Sequence, residues 1–466
     1  MNNLLRKPLP ANWLEAPAKF QKFNLTENPF PSEAVVYKDS LDKRVNGDIY
    51  EIEIHRQVYE QIETDFLAQP QSNPKHLRLG YIIDTSYIGR GNGKSAFLVN
   101  LQQAINKEYC LDISNELNKC FAIYVAPELG GRTKTFSSFV DVFFQSILRS
   151  HIIKTCLASL RLEAISELYP HVNFDDELEN DDLLLDHLNS KEWFFGHNFD
   201  LVNISHFIFK NEYLQDIPDF FPLFMERNTL IPLLVSEVDF EQYYLNLKKG
   251  KDRLNFVFSH LIRFFQAASF NGAYILVDDF ERIHDFQSAR QKMDFALELR
   301  SCLFDGLYVN AKLGFYNFFL VLHAGVQRLI SDAWALSGME NRAPLSSKTA
   351  SKLMIPFENL SREHTSLLLK KYLSDYRTDD NFSDALFPFK EEAVNTIGEL
   401  SKYNAAKILK MAYELLDKAA DIEGQTVIDA KFVSENTELQ QHDDSNSLPT
   451  IDAESIDLLK KAKHLE

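Results

Sequence analysis

The chain has 466 residues, 45% of them apolar, with 67 acidic against 49 basic side chains and a net charge of −18. That length predicts two to three domains with ample packed cores, and the acidic balance argues against a broad phosphate-binding surface acting on its own. Cys110, Cys120, Cys156 and Cys302 have neither metal-ligand spacing nor the density of a secreted scaffold, Met1–Pro8 lacks a signal-peptide core, and no run reaches membrane-spanning length, so the expectation is a soluble, cytoplasmic protein without membrane contact.

Residues 1–74 form an N-terminal segment ahead of the sheet. Within it Phe23–Pro31 reads as extended and turn-rich, and Ile54–Leu67 as a helix with Val58, Ile62 and Phe66 at four-residue spacing. An α/β core is expected over 75–357. Its first strand, Leu77–Asp84, runs into Thr85-Ser86-Tyr87-Ile88-Gly89-Arg90-Gly91-Asn92-Gly93-Lys94-Ser95-Ala96 and then a helix. Strand, glycine-rich loop and helix together predict a phosphate-binding loop: Gly89, Arg90, Gly91, Asn92, Gly93 and Ala96 supply backbone N–H groups, and the helix adds its positive end. In that pattern Lys94 reaches the outer phosphates and Ser95 holds Mg²⁺. Ile88 stands where the usual first glycine belongs, with Gly89 and Gly91 able to supply the flexibility.

Cys120–Val125 is the second expected strand, followed by a basic loop, Arg132-Thr133-Lys134, and a helix that Thr135 can cap. Residues 150–251 turn helical, aromatic and acidic. That is more chain than one crossover needs, so they are expected to be a helical insertion, with the acidic run Asp175–Asp182 as a solvated loop. Asn271–Glu281 is an apolar strand ending in adjacent carboxylates, the Walker B pattern. Set beside the loop strand, it would bring Asp278 to the C-terminal edge of the sheet, in reach of Mg²⁺. Asp279 then becomes the candidate for polarising an attacking water. Two more strands, Phe315–His323 and Lys352–Phe357, complete the core. Residues 358–435 should be a helical lid, and 436–466 an acidic linker with a terminal helix.

This order of loop, Walker B strand, apolar strand, short strand and helices resembles the AAA+ P-loop ATPases, most closely the branch of origin-recognition and STAND signalling ATPases. The resemblance spans about residues 20–435. It implies a γ-phosphate sensor at His323 and an arginine acting on a neighbouring subunit's nucleotide at Arg342, with Arg328 as competitor. It also implies an adenine pocket near Asn28-Pro29-Phe30 and Ile52. The family's lid arginine falls on Ala406 in Asn404-Ala405-Ala406-Lys407, which weighs against lid-driven sensing. The family's Walker B glutamate is Asp279 here, which suggests slow or partner-stimulated hydrolysis.

The expectation is therefore an α/β P-loop protein that binds ATP and Mg²⁺ and hydrolyses ATP, a motor or switch in a multi-protein, DNA-related system for modification, transposition or phage defence. Other protein subunits, including further copies of the chain, are the expected partners, with any DNA contact indirect. ATP and GTP are not separated by the sequence. The rival expectation is a nucleotide-gated scaffold with little turnover, which Asp279 and Ala406 favour.

Overall fold

A computed structural model of the chain describes residues 19–69, 77–84, 91–128, 130–172, 181–218, 221–224, 235–323, 327–345, 352–379 and 383–437. It divides into two compact units: one holds the chain up to Ile54, Gly91–Gly93 and everything from Asn359, and the other His55–Arg90 and Lys94–Glu358.

The larger unit is α/β. Its five strands, β1 (Leu79–Asp84), β2 (Cys120–Val125), β3 (Gly272–Val277), β4 (Tyr316–Leu322) and β5 (Met354–Phe357), form an all-parallel sheet in the order β2-β3-β4-β1-β5. The inner strands β1, β3 and β4 and the edge strand β2 are each near-continuous apolar runs buried almost throughout, which leaves no solvent side for polar alternation. The register pairs Tyr81 with Leu320 and Met354, and Val277 with Val125 and Leu320. Contrary to the expected adjacency, β3 is not beside β1. The whole of β4 lies between them, since β4 pairs in register with both.

Helix α1 (Arg56–Ile62) buries Val58 and Ile62 and continues into a wider turn, Glu63–Leu67, that carries Phe66. Gly80 in β1 allows this approach, because a Cβ there would sit 2.9 Å from the rings of both Phe319 and Phe66. Helix α2 (Lys94–Lys107) follows the glycine-rich loop, and α3 (Phe136–Arg149) opens on Thr135, whose hydroxyl accepts the Ser138 N–H as a cap. Phe136, Phe139 and Phe143 of α3 pack on Phe258, Phe295 and Phe318. The described elements between Ile152 and Asn246 are α-helices and one 3₁₀ turn, Pro222–Phe224, and six of the acidic-run positions, 175–180, lie outside the described residues. Buried Arg161 ties this insertion together through the carbonyls of Leu188 and Val235 and the Asn189 side chain. Helices α4 (Ala289–Leu303) and α5 (Gln327–Ser337) complete the unit, and Trp334 of α5 donates to the Tyr81 hydroxyl, which donates to the Ala343 carbonyl.

The smaller unit is helical. Helices α6 (Arg362–Ser374), α7 (Glu391–Leu400) and α8 (Ala405–Asp421) enclose a core of Leu369, Leu373, Ile397, Ile408 and Leu416 joined by Phe23, Leu25 and Phe30 from the N-terminal segment. That segment is held by a Leu25–Arg377 bridge, by Asn28 donating to the Tyr413 carbonyl, and by Tyr372 donating to the Arg44 carbonyl. Phe30, Arg44 and Tyr413 line a cavity of about 290 Å³, while Ile52 is exposed. The terminal helix expected near 451–466 lies outside the described residues. No helix among the described residues is long and apolar enough to cross a membrane.

Candidate functional site

The C-terminal ends of β1, β2, β3 and β4 bring charged side chains together inside the larger unit. Lys94 opens α2 and is almost fully buried; its Nζ lies 2.5 Å from Oδ2 of Asp84, the last residue of β1, itself 1% exposed. Ser95, the next residue of α2, donates its hydroxyl to Asp278 Oδ2 at 2.6 Å. The Tyr124 hydroxyl donates to the same oxygen at 2.7 Å. Tyr124 reaches it because β2 and β3 are neighbours: Val125 pairs with Val277, and the Asp278 N–H donates to the Val125 carbonyl. Burial and the adjacent Asp279 raise the Asp278 carboxyl above the usual range, against the two hydroxyls and the Asp279 N–H that stabilise its anion.

Asp279 has a left-handed backbone, φ 43°, unusual for a residue with a side chain. This conformation turns the chain into a single helical turn, Glu281–His284, and the Phe280 N–H donates to the Val321 carbonyl of β4, pinning the turn to the neighbouring strand. Asp279 Oδ2 is ion-paired with Arg282, and Oδ1 lies 3.3 Å from His323 Nε2. Glu281 Oε1 is 3.1 Å from the same nitrogen. On its other edge, His323 Nδ1 lies 3.3 Å from Lys94 Nζ and 3.6 Å from Asp84 Oδ2. Burial works to lower the His323 pKa, but the hydrogen bonds to Asp279 and Asp84 and the charge of Glu281 outweigh it and push it up to about 9. Three acidic side chains, Asp84, Asp279 and Glu281, thus surround the imidazole and favour its protonated form.

Of the residues singled out in the sequence, Lys94, Ser95, Asp278, Asp279 and His323 meet in this cluster, and Ala96 occupies the first turn of α2, whose N–H groups lack acceptors within the helix. Arg342 does not join them. It is exposed and lines a polar cavity of about 340 Å³ with Arg300, Asp305, Gly338 and Asn341. Gly89 and Arg90 lie outside the described residues. Asp84, Tyr124 and Arg282 were not anticipated, and Glu281 stood only as the end of the Walker B run. Asp84 had a visible signal, a carboxylate closing the apolar run before the glycine-rich loop; Tyr124 had none, because nothing local says which strand lies beside β3.

Within the helical unit, Gly91 and Asn92 meet the start of α8. The Ala406 N–H donates to the Gly91 carbonyl at 2.9 Å, and Asn404 Nδ2 donates to Asn92 Oδ1 at 3.2 Å while Asn404 Oδ1 caps the helix by accepting the Lys407 N–H. Gly91 at φ 105° leaves no room for a side chain, since a Cβ would lie 2.8 Å from both Ala406 Cβ and Asn404 Oδ1. Gly93, φ 90°, also needs glycine's freedom. Ala406, the position where the family resemblance puts an arginine, therefore contributes its backbone to the loop.

Compared with known proteins, the chain matches no protein-family model and no curated protein.

Proposed function

We propose that the chain is an Mg²⁺-dependent nucleoside triphosphatase with a P-loop core of the AAA+ type, with ATP assigned as nucleotide by the family resemblance. The observation that carries this reading is the 2.6 Å contact between Ser95 Oγ and Asp278 Oδ2, which unites two residues 183 positions apart at the C-terminal edge of a parallel sheet. The donor set fits the implied groups. A hydroxyl and a carboxylate are the hard oxygens that Mg²⁺ takes, and a buried lysine with first-turn N–H groups suits phosphate oxygens. Mg²⁺, when bound, would neutralise phosphate charge and polarise the terminal phosphoryl group.

In this reading Ser95 and Asp278 hold the metal and Tyr124 fixes the Asp278 carboxylate. Lys94 gives its charge to the outer phosphates after leaving Asp84. Asp279 orients water and accepts its proton through Oδ1, with Arg282 holding Oδ2 and His323 reporting on the phosphate end. Calorimetric titration of the full chain with MgATP and MgGTP tests the proposal. Affinity unchanged in Lys94→Ala would overturn it.

The second reading, a nucleotide-gated scaffold with little turnover, is favoured by one feature: both oxygens of Asp279 already face cations, Arg282 and His323. Steady-state phosphate release, measured with and without DNA, separates the two. A role as motor or switch beside other protein subunits in DNA modification, transposition or phage defence rests on the family resemblance alone, and a pull-down from the native host tests it.

A further inference from the structure

We infer that Asp279, Glu281 and His323 form a site for a divalent transition metal of the Zn²⁺ class, distinct in its donors from Ser95 and Asp278. One ligand atom from each of the three lies within 4.8 Å of the other two, the one such group among the described residues. Glu281 Oε1 and Asp279 Oδ1 stand 3.1 and 3.3 Å from His323 Nε2. Bonds of about 2.0–2.2 Å in a tetrahedral site set neighbouring donors roughly 3.4 Å apart, so both carboxylate oxygens already stand close to that spacing from the imidazole nitrogen, with the two oxygens within 4.8 Å of each other. One imidazole nitrogen with two carboxylate oxygens suits Zn²⁺, Co²⁺ or Mn²⁺, whereas Mg²⁺ prefers oxygen alone.

The atoms turned away from this point are also held, as metal ligands require. Asp279 Oδ2 is ion-paired with Arg282, leaving Oδ1 as a single donor, and the far nitrogen of His323 lies 3.3 Å from Lys94 Nζ and 3.6 Å from the buried Asp84 carboxylate that pairs with that lysine. Outer partners of this kind fix the tautomer and aim of an imidazole ligand. The backbone is equally constrained: the Phe280 N–H to Val321 carbonyl bond ties the turn bearing Asp279 and Glu281 to the strand that delivers His323. The ligands come from adjacent strand ends, and the His323 side chain, 18% exposed, leaves an approach from solvent.

A metal held here would occupy the Asp279 oxygen that otherwise accepts the proton of water, so the two roles are alternatives; the inference does not depend on nucleotide binding, and its test uses none. Chelator-treated full-length protein would be titrated with CoCl₂ in the absence of Mg²⁺ and nucleotide. One equivalent should bind, with visible ligand-field bands of a low-coordinate site that ZnCl₂ abolishes. Glu281→Gln, which keeps volume, and His323→Ala should each weaken binding by roughly 10- to 100-fold, the range that loss of even an outer partner produces. Ser95→Ala should bind Co²⁺ as the parent does, and circular dichroism reports whether each variant is folded. Absence of stoichiometric binding by the parent, parent-like binding by folded Glu281→Gln, or a loss in Ser95→Ala equal to that in Glu281→Gln would each overturn the assignment.

Discussion

Lys94 Nζ and Asp84 Oδ2 are 2.5 Å apart, and both side chains are buried, so the lysine that the phosphate-loop pattern supplies for an anion already has one. A carboxylate and a phosphate oxygen compete for the same ammonium group. Asp84→Asn should therefore tighten MgATP binding, by about tenfold if one charge-assisted hydrogen bond need no longer be broken. Lys94→Ala should lose binding and also stability, by about 3–5 kcal/mol, because it strands a buried carboxylate. The double variant Asp84→Asn/Lys94→Ala should recover most of that stability and none of the binding. Calorimetry and urea unfolding check both; equal stability of Lys94→Ala and parent would mean that the pair is not coupled.

The carboxylates that follow β3 should separate in function. Asp278→Ala should weaken Mg²⁺-dependent nucleotide binding, while Asp279→Asn should bind normally and lose turnover, since it removes a proton acceptor and little volume. Tyr124→Phe removes one of two hydroxyls from Asp278 Oδ2 and should raise the Mg²⁺ concentration needed for half-maximal binding by about tenfold. Retained turnover in Asp279→Asn would transfer the acceptor role to Glu281.

His284 supplies a pH dependence of stability. It is fully buried against Phe280, Phe295 and Trp334, and burial lowers its pKa from 6.5 to about 4 despite the hydrogen bond from Nδ1 to Gln287 Oε1. Below pH 6.5 the unfolded chain binds a proton that the folded chain refuses. Its contribution is thus complete above pH 6.5 and is lost as pH falls through 4, an effect of about 3 kcal/mol for a shift from 6.5 to about 4. Urea midpoints at pH 7 and pH 5 should converge in His284→Gln; a pH profile parallel to the parent's would refute the assignment.

Gly91→Ala tests the loop's contact with α8. The substitution meets both a positive φ and a 2.8 Å overlap with Ala406 and Asn404, whereas Gly424→Ala, φ 79°, meets strain with nothing within 4 Å. Strain alone costs about 1 kcal/mol or more, so Gly91→Ala should lower thermal stability by more than Gly424→Ala does. Equal losses would show that the overlap is relieved without penalty.

Arg342 is exposed, so Arg342→Ala should leave stability within about 0.5 kcal/mol of the parent. If it completes a neighbouring subunit's site, turnover should fall by about 10³-fold with ATP affinity intact. Mixing with Lys94→Ala should then restore part of the activity. Full activity of Arg342→Ala favours the gated scaffold.

Local pattern determined much of this protein: five continuous apolar runs became the five strands, with ends moved by a residue or two except at Asn271–Glu281, whose strand stops at Val277 ahead of the carboxylates, and a glycine-rich loop before a helix singled out Lys94 and Ser95. Such features are legible because strand burial and loop chemistry are written in neighbouring residues. The order β2-β3-β4-β1-β5 was not, for periodicity says that a strand is buried and not which strand covers its edge. Only the folded sheet set β4 between β1 and β3, delivering His323 between Lys94 and Glu281, and laid Tyr124 against Asp278. Tertiary structure likewise matched Lys94 with Asp84, because a buried ammonium must find an anion and the nearest one closes the strand before it.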